Sequence, residues 1–214
     1  MADTDYTALL IVLDRSGSMS GIRDDMVDAL EQMLRDQAAQ PGMLTVDLVT
    51  FDDVVEHTHV SAAPEDVRIR LEPRGGTALY DAVGSSINGF AARLDALPEH
   101  ARPATAQVVV VTDGFDNRSL EYTPGTVRRL IERQRERAGW DVVFLGADQD
   151  AVLAAADLGI GADRSMTFSR GAHNIDSMVG TMSRHISTVR AGGTGGFTDA
   201  DREAAVENED DDLR

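Results

Sequence analysis

The 214-residue chain has no cysteine and no lysine; its 20 basic side chains are all arginine. The first absence excludes disulfides, thiolate catalysis and zinc–sulfur sites. The second excludes Schiff-base chemistry, a phosphate-loop lysine and a lysine general base. No apolar run approaches the roughly 18 residues a membrane-spanning helix needs. The opening MADTDYT is acidic and lacks an apolar h-region, so no secretory signal is read there and a cytoplasmic location is expected. Positive charge is scarce overall. A formal charge of −17 works against a broad electrostatic grip on nucleic acid.

What is present is a sequence of alternating strand and helix signals. The near-continuous apolar runs TALLIVL (7–13), AQVVVVTDG (106–114) and WDVVFLGAD (140–148) suit strands buried on both faces. TVDLVTF (45–51) reads as a further strand, VVEHTHV (54–60) as its hairpin partner at an edge, and SMTFSR (165–170) as a short strand. Apolar residues at three- and four-residue spacing predict helices over about 22–38, 78–97, 149–158 and 174–190. Thr123-Pro124 opens another that stops at Gly139. Such alternation means an α/β fold with a mostly parallel sheet and right-handed crossovers. From Gly192 the chain turns glycine-rich and then acidic. Residues 1–191 are therefore expected to form the domain, and 192–214 a linker and disordered tail. That tail should leave at the sheet edge opposite any site formed beyond the strand ends, with no role there in cis.

In an open parallel sheet, ligands bind beyond the carboxyl ends of the strands. Two apolar strands end in aspartate, in DRSGSMS (14–20) and VVVVTDG (108–114), and the RGGT loop (74–77) precedes a helix. One edge would then gather Asp14, Ser16, Ser18, Thr77 and Asp113. Two carboxylates and three hydroxyls, without sulfur or imidazole, are hard oxygen donors suited to Mg²⁺ or Mn²⁺. A divalent ion would leave this shell near neutral and open to an anionic sixth ligand. Read one at a time, the residues have plainer roles: a strand-to-helix turn at 14–18, a helix N-cap at Thr77, a turn at Asp113. A serine-hydrolase elbow is excluded, because neither Ser16 nor Ser18 has the flanking glycines. A phosphatase of the haloacid dehalogenase type would need a second aspartate where Ser16 stands, and a lysine. His57 and His59, two apart on the edge strand, are expected to face one side as solvated residues. The five arginines of helix 124–138 are expected to form a solvated face.

Taken together, DRSGSMS, the Thr77 loop and VVVVTDG resemble the von Willebrand factor A domain and its metal-ion-dependent adhesion site, over roughly residues 6–190. The resemblance implies a Rossmann-like three-layer α/β/α fold, with six strands in the order 3-2-1-4-5-6 and one antiparallel edge. It implies that Ser16, Ser18 and Thr77 touch the ion most directly, while Asp14 and Asp113 act through ordered waters. It also implies that a protein partner completes the shell with an acidic residue, as in a multiprotein complex with an AAA+ ATPase or a stress or defence component. A Mg²⁺-dependent phosphoester hydrolase and an RNA-binding scaffold stand as alternatives.

Overall fold

The computed structural model describes residues 3–147 and 151–206. Its strands are β1 (Asp3–Asp14), β2 (Met43–Phe51), β3 (Val55–Ala62), β4 (Pro103–Thr112), β5 (Asp141–Ala147) and β6 (Ser165–Phe168). The helices are α1 (Arg23–Ala38), α2 (Leu79–Ala96), α3 (Pro124–Ala138), α4 (Ala151–Asp157), α5 (Ala172–Arg190) and α6 (Asp199–Ala204). The six strands form one sheet in the order β3-β2-β1-β4-β5-β6. Every neighbouring pair is parallel except β2 with β3. This is the expected α/β architecture.

The central strand β1 reads as unbroken apolar sequence because both its faces are covered. Leu9, Ile11 and Leu13 enter a core with α1 and α5, while Ala8, Leu10 and Val12 enter a second core with α2, α3 and α4. Helix α3 begins as expected, with the Thr123 hydroxyl accepting the Thr126 amide, and ends at Gly139, whose φ of 64° suits a residue without Cβ. Among the described residues no helix is long and apolar enough to cross a membrane. Residues 149 and 150 of the expected helix, and Asp148 of the expected strand, lie outside the described residues, as do 207–214.

Three expectations are corrected. The strand expected over 165–170 stops at Phe168, which frees Ser169 and Arg170 from the sheet. The β2–β3 pairing slips at Thr58, so that His57 stands opposite Val49 but His59 opposite Leu48. One extra residue reverses the side-chain sense of a strand, so the two histidines project on different faces. The third concerns the segment after Gly192, which is not a loose linker through residue 206. Phe197 and Ala205 are buried in the core that α5 shares. Helix α6 carries a capping box, in which the Thr198 hydroxyl accepts the Asp201 amide and the Asp201 carboxylate accepts the Thr198 amide. Arg164 reaches the Thr194 carbonyl, and the Ser169 amide donates to Ala205 at 2.9 Å.

Candidate metal centre

Parallel pairing sets Leu13 beside Val111, so Asp14 and Thr112 end their strands level with one another. Asp14 is fully buried. One carboxylate oxygen accepts the Ser16 amide at 2.7 Å and the other accepts the Thr112 hydroxyl at 2.6 Å. Asp14 thus folds back on its own loop and ties β1 to β4. Burial pushes its carboxyl up to about 6, against the pull of the Thr112 and Ser16 bonds, and nearby Asp113 adds to the rise. After Asp14 the chain makes a short 3₁₀ turn, Gly17–Gly21, anchored by buried Met19. The turn lines up the two hydroxyls, with Ser16 Oγ 3.0 Å from Ser18 Oγ and Ser18 donating to Asp113 Oδ1 at 2.6 Å.

Thr77 arrives on a second loop. Gly75 has φ 64°, a left-handed backbone that favours glycine, and a Cβ there would also push the Asp53 carboxylate from its place at 2.5 Å. The Gly17 amide donates to the Gly75 carbonyl at 3.3 Å, and the Arg74 amide to the Arg15 carbonyl at 2.9 Å, which stitches this loop to the first. Asn117 clamps Thr77 from both sides: its side chain accepts the Thr77 amide at 3.0 Å, and its own amide donates to the Thr77 carbonyl at 2.9 Å. A Cβ built on Gly114 would lie 3.5 Å from Thr77 Oγ1 and 3.9 Å from Ser18 Oγ, so both hydroxyls face the turn that carries Asp113. Thr77 is not the cap of α2. That position is held by Ala78, which makes no side-chain cap bond.

The structure therefore brings all five predicted residues to one edge. Asp14, Ser16, Thr77 and Asp113 are buried, while Ser18 is exposed. The donor set fits a hard divalent cation: three hydroxyl and four carboxylate oxygens, with no softer ligand among them. Among the described residues no group of three or more His, Cys, Asp or Glu side chains is placed to hold a metal ion.

Four further residues shape the site and were not legible beforehand. Thr112 and Asn117 hold the ligand candidates as described. Asp52, between the two strands of the β2–β3 hairpin, is buried beneath the rim. It accepts Arg15 Nε at 3.0 Å and Arg74 Nε at 2.7 Å, and Arg15 also pairs with Glu56 at 2.7 Å. Burial would raise the Asp52 carboxyl, but Arg74, the Val54 amide and Arg15 outweigh it and hold the group below its ordinary value. The fourth is Arg170, from the β6–α5 loop. One guanidinium nitrogen lies 3.2 Å from Asp113 Oδ2, and another donates to the Ser18 carbonyl at 3.0 Å. TDG and DRSGS have a recognisable spacing; a single arginine among 20 has none.

This sheet, with its order and its single antiparallel edge, is the fold of von Willebrand factor type A domains. Solved structures similar to it include proximal thread matrix protein 1 from the mussel byssus, in a form described as having a zinc-occupied metal-ion-dependent adhesion site. That structure shows 15% identity and a TM-score of 0.62 over 86% of this chain and 47% of the other. A von Willebrand factor type A protein from Catenulispora acidiphila shows 19% identity and a TM-score of 0.57 over 85% of this chain and 42% of the other. The ArnB paralogue VWA2 from Sulfolobus acidocaldarius shows 13% and 0.53 over 83% and 44%. The chain spans less than half the length of each of these three. No protein-family model matches the sequence, and no curated protein does.

Proposed function

We propose that this domain is a divalent-cation-dependent protein-binding module. Ser16, Ser18 and Thr77 hold Mg²⁺ or Mn²⁺ directly, Asp14 and Asp113 hold it through water, and a partner protein supplies the acidic residue that completes the shell. The observation that carries this reading is the continuous chain of hard oxygens from Ser16 through Ser18 to Asp113, with Thr77 facing the same turn. The zinc-occupied site in the mussel protein supports a divalent ion at this place in the fold. The module is read as non-enzymatic and cytoplasmic, working in a multiprotein complex with an AAA+ ATPase or a stress or defence component. Neither phosphoester hydrolysis nor RNA binding gains an observation. The arginines of α3 are exposed, and three of them are engaged locally, Arg128 with Glu132 at 2.8 Å, Arg129 with the Thr126 hydroxyl at 3.3 Å and Arg135 with the Gly159 carbonyl at 3.0 Å.

Calorimetric titration with Mg²⁺ and Mn²⁺ tests the assignment. Wild type should bind one ion. The double variant Ser16→Ala/Ser18→Ala should lose binding while keeping its circular dichroism spectrum, because both hydroxyls lie at the rim and outside the apolar cores. Unchanged affinity in a folded double variant overturns the reading.

A further inference from the structure

We propose that Arg170 is the ligand-reading residue of this rim: it holds Asp113 in the cation-free protein and donates to the partner's carboxylate in the cation-loaded one. The proposal rests on the divalent-cation reading above and adds the residue that selects the ligand.

The argument starts from charge. Asp14 and Asp113 close neighbouring strands at one edge: Asp14 accepts the hydroxyl of Thr112, the residue before Asp113. The Arg170 guanidinium is the cation set against them, 3.2 Å from a fully buried Asp113 side chain. Its neighbour Arg15 is turned the other way, into Asp52 and Glu56. A divalent ion drawing on Asp113 therefore competes with Arg170 for the same carboxylate. Two carboxylates and a divalent ion sum to zero, and the guanidinium then adds one positive charge beside them. On a chain of net charge −17, that is a local reversal of sign where an anion is to dock.

Geometry completes the case. The backbone at Arg170 is fixed by the bond from the Ser169 amide to the Ala205 carbonyl at 2.9 Å. The side chain is half-exposed and lies across the rim, with one nitrogen on Asp113 and one on the Ser18 carbonyl. A guanidinium is a planar fork that matches a carboxylate in two-point fashion, which an ammonium cannot do. When Asp113 is drawn away, Arg170 exchanges one carboxylate for another without leaving its place. Recognition then has two points: the cation takes one oxygen of an acidic side chain, and Arg170 takes the other. A glutamine in the ligand offers one neutral carbonyl oxygen, so it cannot meet the cation and Arg170 at once.

The test uses Mn²⁺ and two short peptides of otherwise neutral sequence, one with a single glutamate and one with glutamine in its place. Calorimetry reads Mn²⁺ affinity, and water-proton relaxation of the Mn²⁺-loaded protein reads displacement of metal-bound water by peptide. Wild type should bind the glutamate peptide and not the glutamine one. Arg170→Ala should bind Mn²⁺ about two- to fivefold more tightly, the size of a partly exposed ion pair, and the glutamate peptide about tenfold more weakly. Arg170→Lys should recover part of the peptide affinity, and it carries the test if the alanine variant does not fold. The opposite signs are the discriminating feature, since a structural role would weaken both. Loss of both affinities together, or an unchanged peptide affinity, overturns the proposal. Wild type that binds Mn²⁺ but not the glutamate peptide overturns it and leaves the cation reading standing. Wild type that binds no Mn²⁺ overturns both.

Discussion

Replacing Asp14 by asparagine should stabilise the cation-free protein while abolishing its response to metal. Asp14 is fully buried, and burial lifts its carboxyl from 3.8 to about 6. Two pKa units at neutral pH correspond to about 3 kcal/mol of destabilisation by the ionised group. Asparagine removes that charge and can keep the bonds. Its carbonyl can accept the Ser16 amide, and its amide can donate to Thr112 Oγ1, whose hydrogen can turn to the Gly114 carbonyl 3.2 Å away. With some loss to imperfect geometry, the gain should be about 1–3 kcal/mol, or about 3–10 °C in melting temperature for a domain of this size. The assay is thermal denaturation in EDTA at pH 7.5 and pH 5. A carboxyl whose folded value lies above its unfolded one favours folding when protonated. Wild type should therefore recover stability as pH falls through about 6 towards 3.8, and the gap should be about half as large at pH 5. Adding Mg²⁺ should raise the wild-type melting temperature by mass action and leave the variant unmoved. An asparagine variant less stable than wild type in EDTA at pH 7.5, or a gap that does not shrink at pH 5, would refute the reasoning.

Phe197→Ala should cost about 3–5 kcal/mol in urea denaturation, because the ring is buried and packs at a tilt against the His185 ring, 5.4 Å between centroids, in the α5 core; a cost below about 1 kcal/mol would show that the segment after α5 is not docked. Association of an acidic peptide with the Mn²⁺-loaded protein should quicken several-fold between about 20 and 200 mM salt, since screening relieves repulsion by a chain of net charge −17. Stopped-flow rates that fall with salt would show that the rim's own positive field controls the encounter.

The fold was legible because the strands that carry it are buried on both faces. TALLIVL and QVVVV have no polar face to confuse the reading, and their terminal aspartates mark the edge where they stop. The metal candidates were legible for a different reason. DRSGS concentrates three of the five in one loop, and short range makes the pattern visible without a structure. What escaped is what sequence distance hides. Asn117 clamps a threonine 40 positions away, and Arg170 meets Ser18 across 152. Nothing in either neighbourhood marks those partners. The histidines failed for a local reason: alternation in VVEHTHV assumes an unbroken ladder, and the bulge at Thr58 adds the one residue that moves His59 to the other face.

The segment after Gly192 was misread because composition averages over residues that differ in kind. Between Gly192 and Val206 a single aromatic does the anchoring, and two of the three acids there are paired: Asp201 with Arg184 at 2.6 Å, Asp199 with Arg202 at 3.2 Å. Asp201 illustrates the balance. Burial would raise its carboxyl, but the Thr198 bonds and Arg184 hold it below the ordinary value, so its ionised form favours the docked segment down to acid pH. Docking also reverses a topological inference. Helix α5 does end far from the site, where Arg190 donates to the Gln37 and Pro41 carbonyls. The chain does not leave there. By Ala205 it has returned along β6 to Ser169, one residue from the arginine that holds Asp113. The β6–α5 loop is therefore fixed by the C-terminal segment on one side and reaches the candidate metal ligands on the other. Truncation after Gly193 removes Phe197 and Ala205 from the core and the Ala205 carbonyl from the loop that positions Arg170. It cannot serve as a neutral control for the acidic residues beyond 206; a cut after Val206 removes those acids while retaining Phe197 and Ala205.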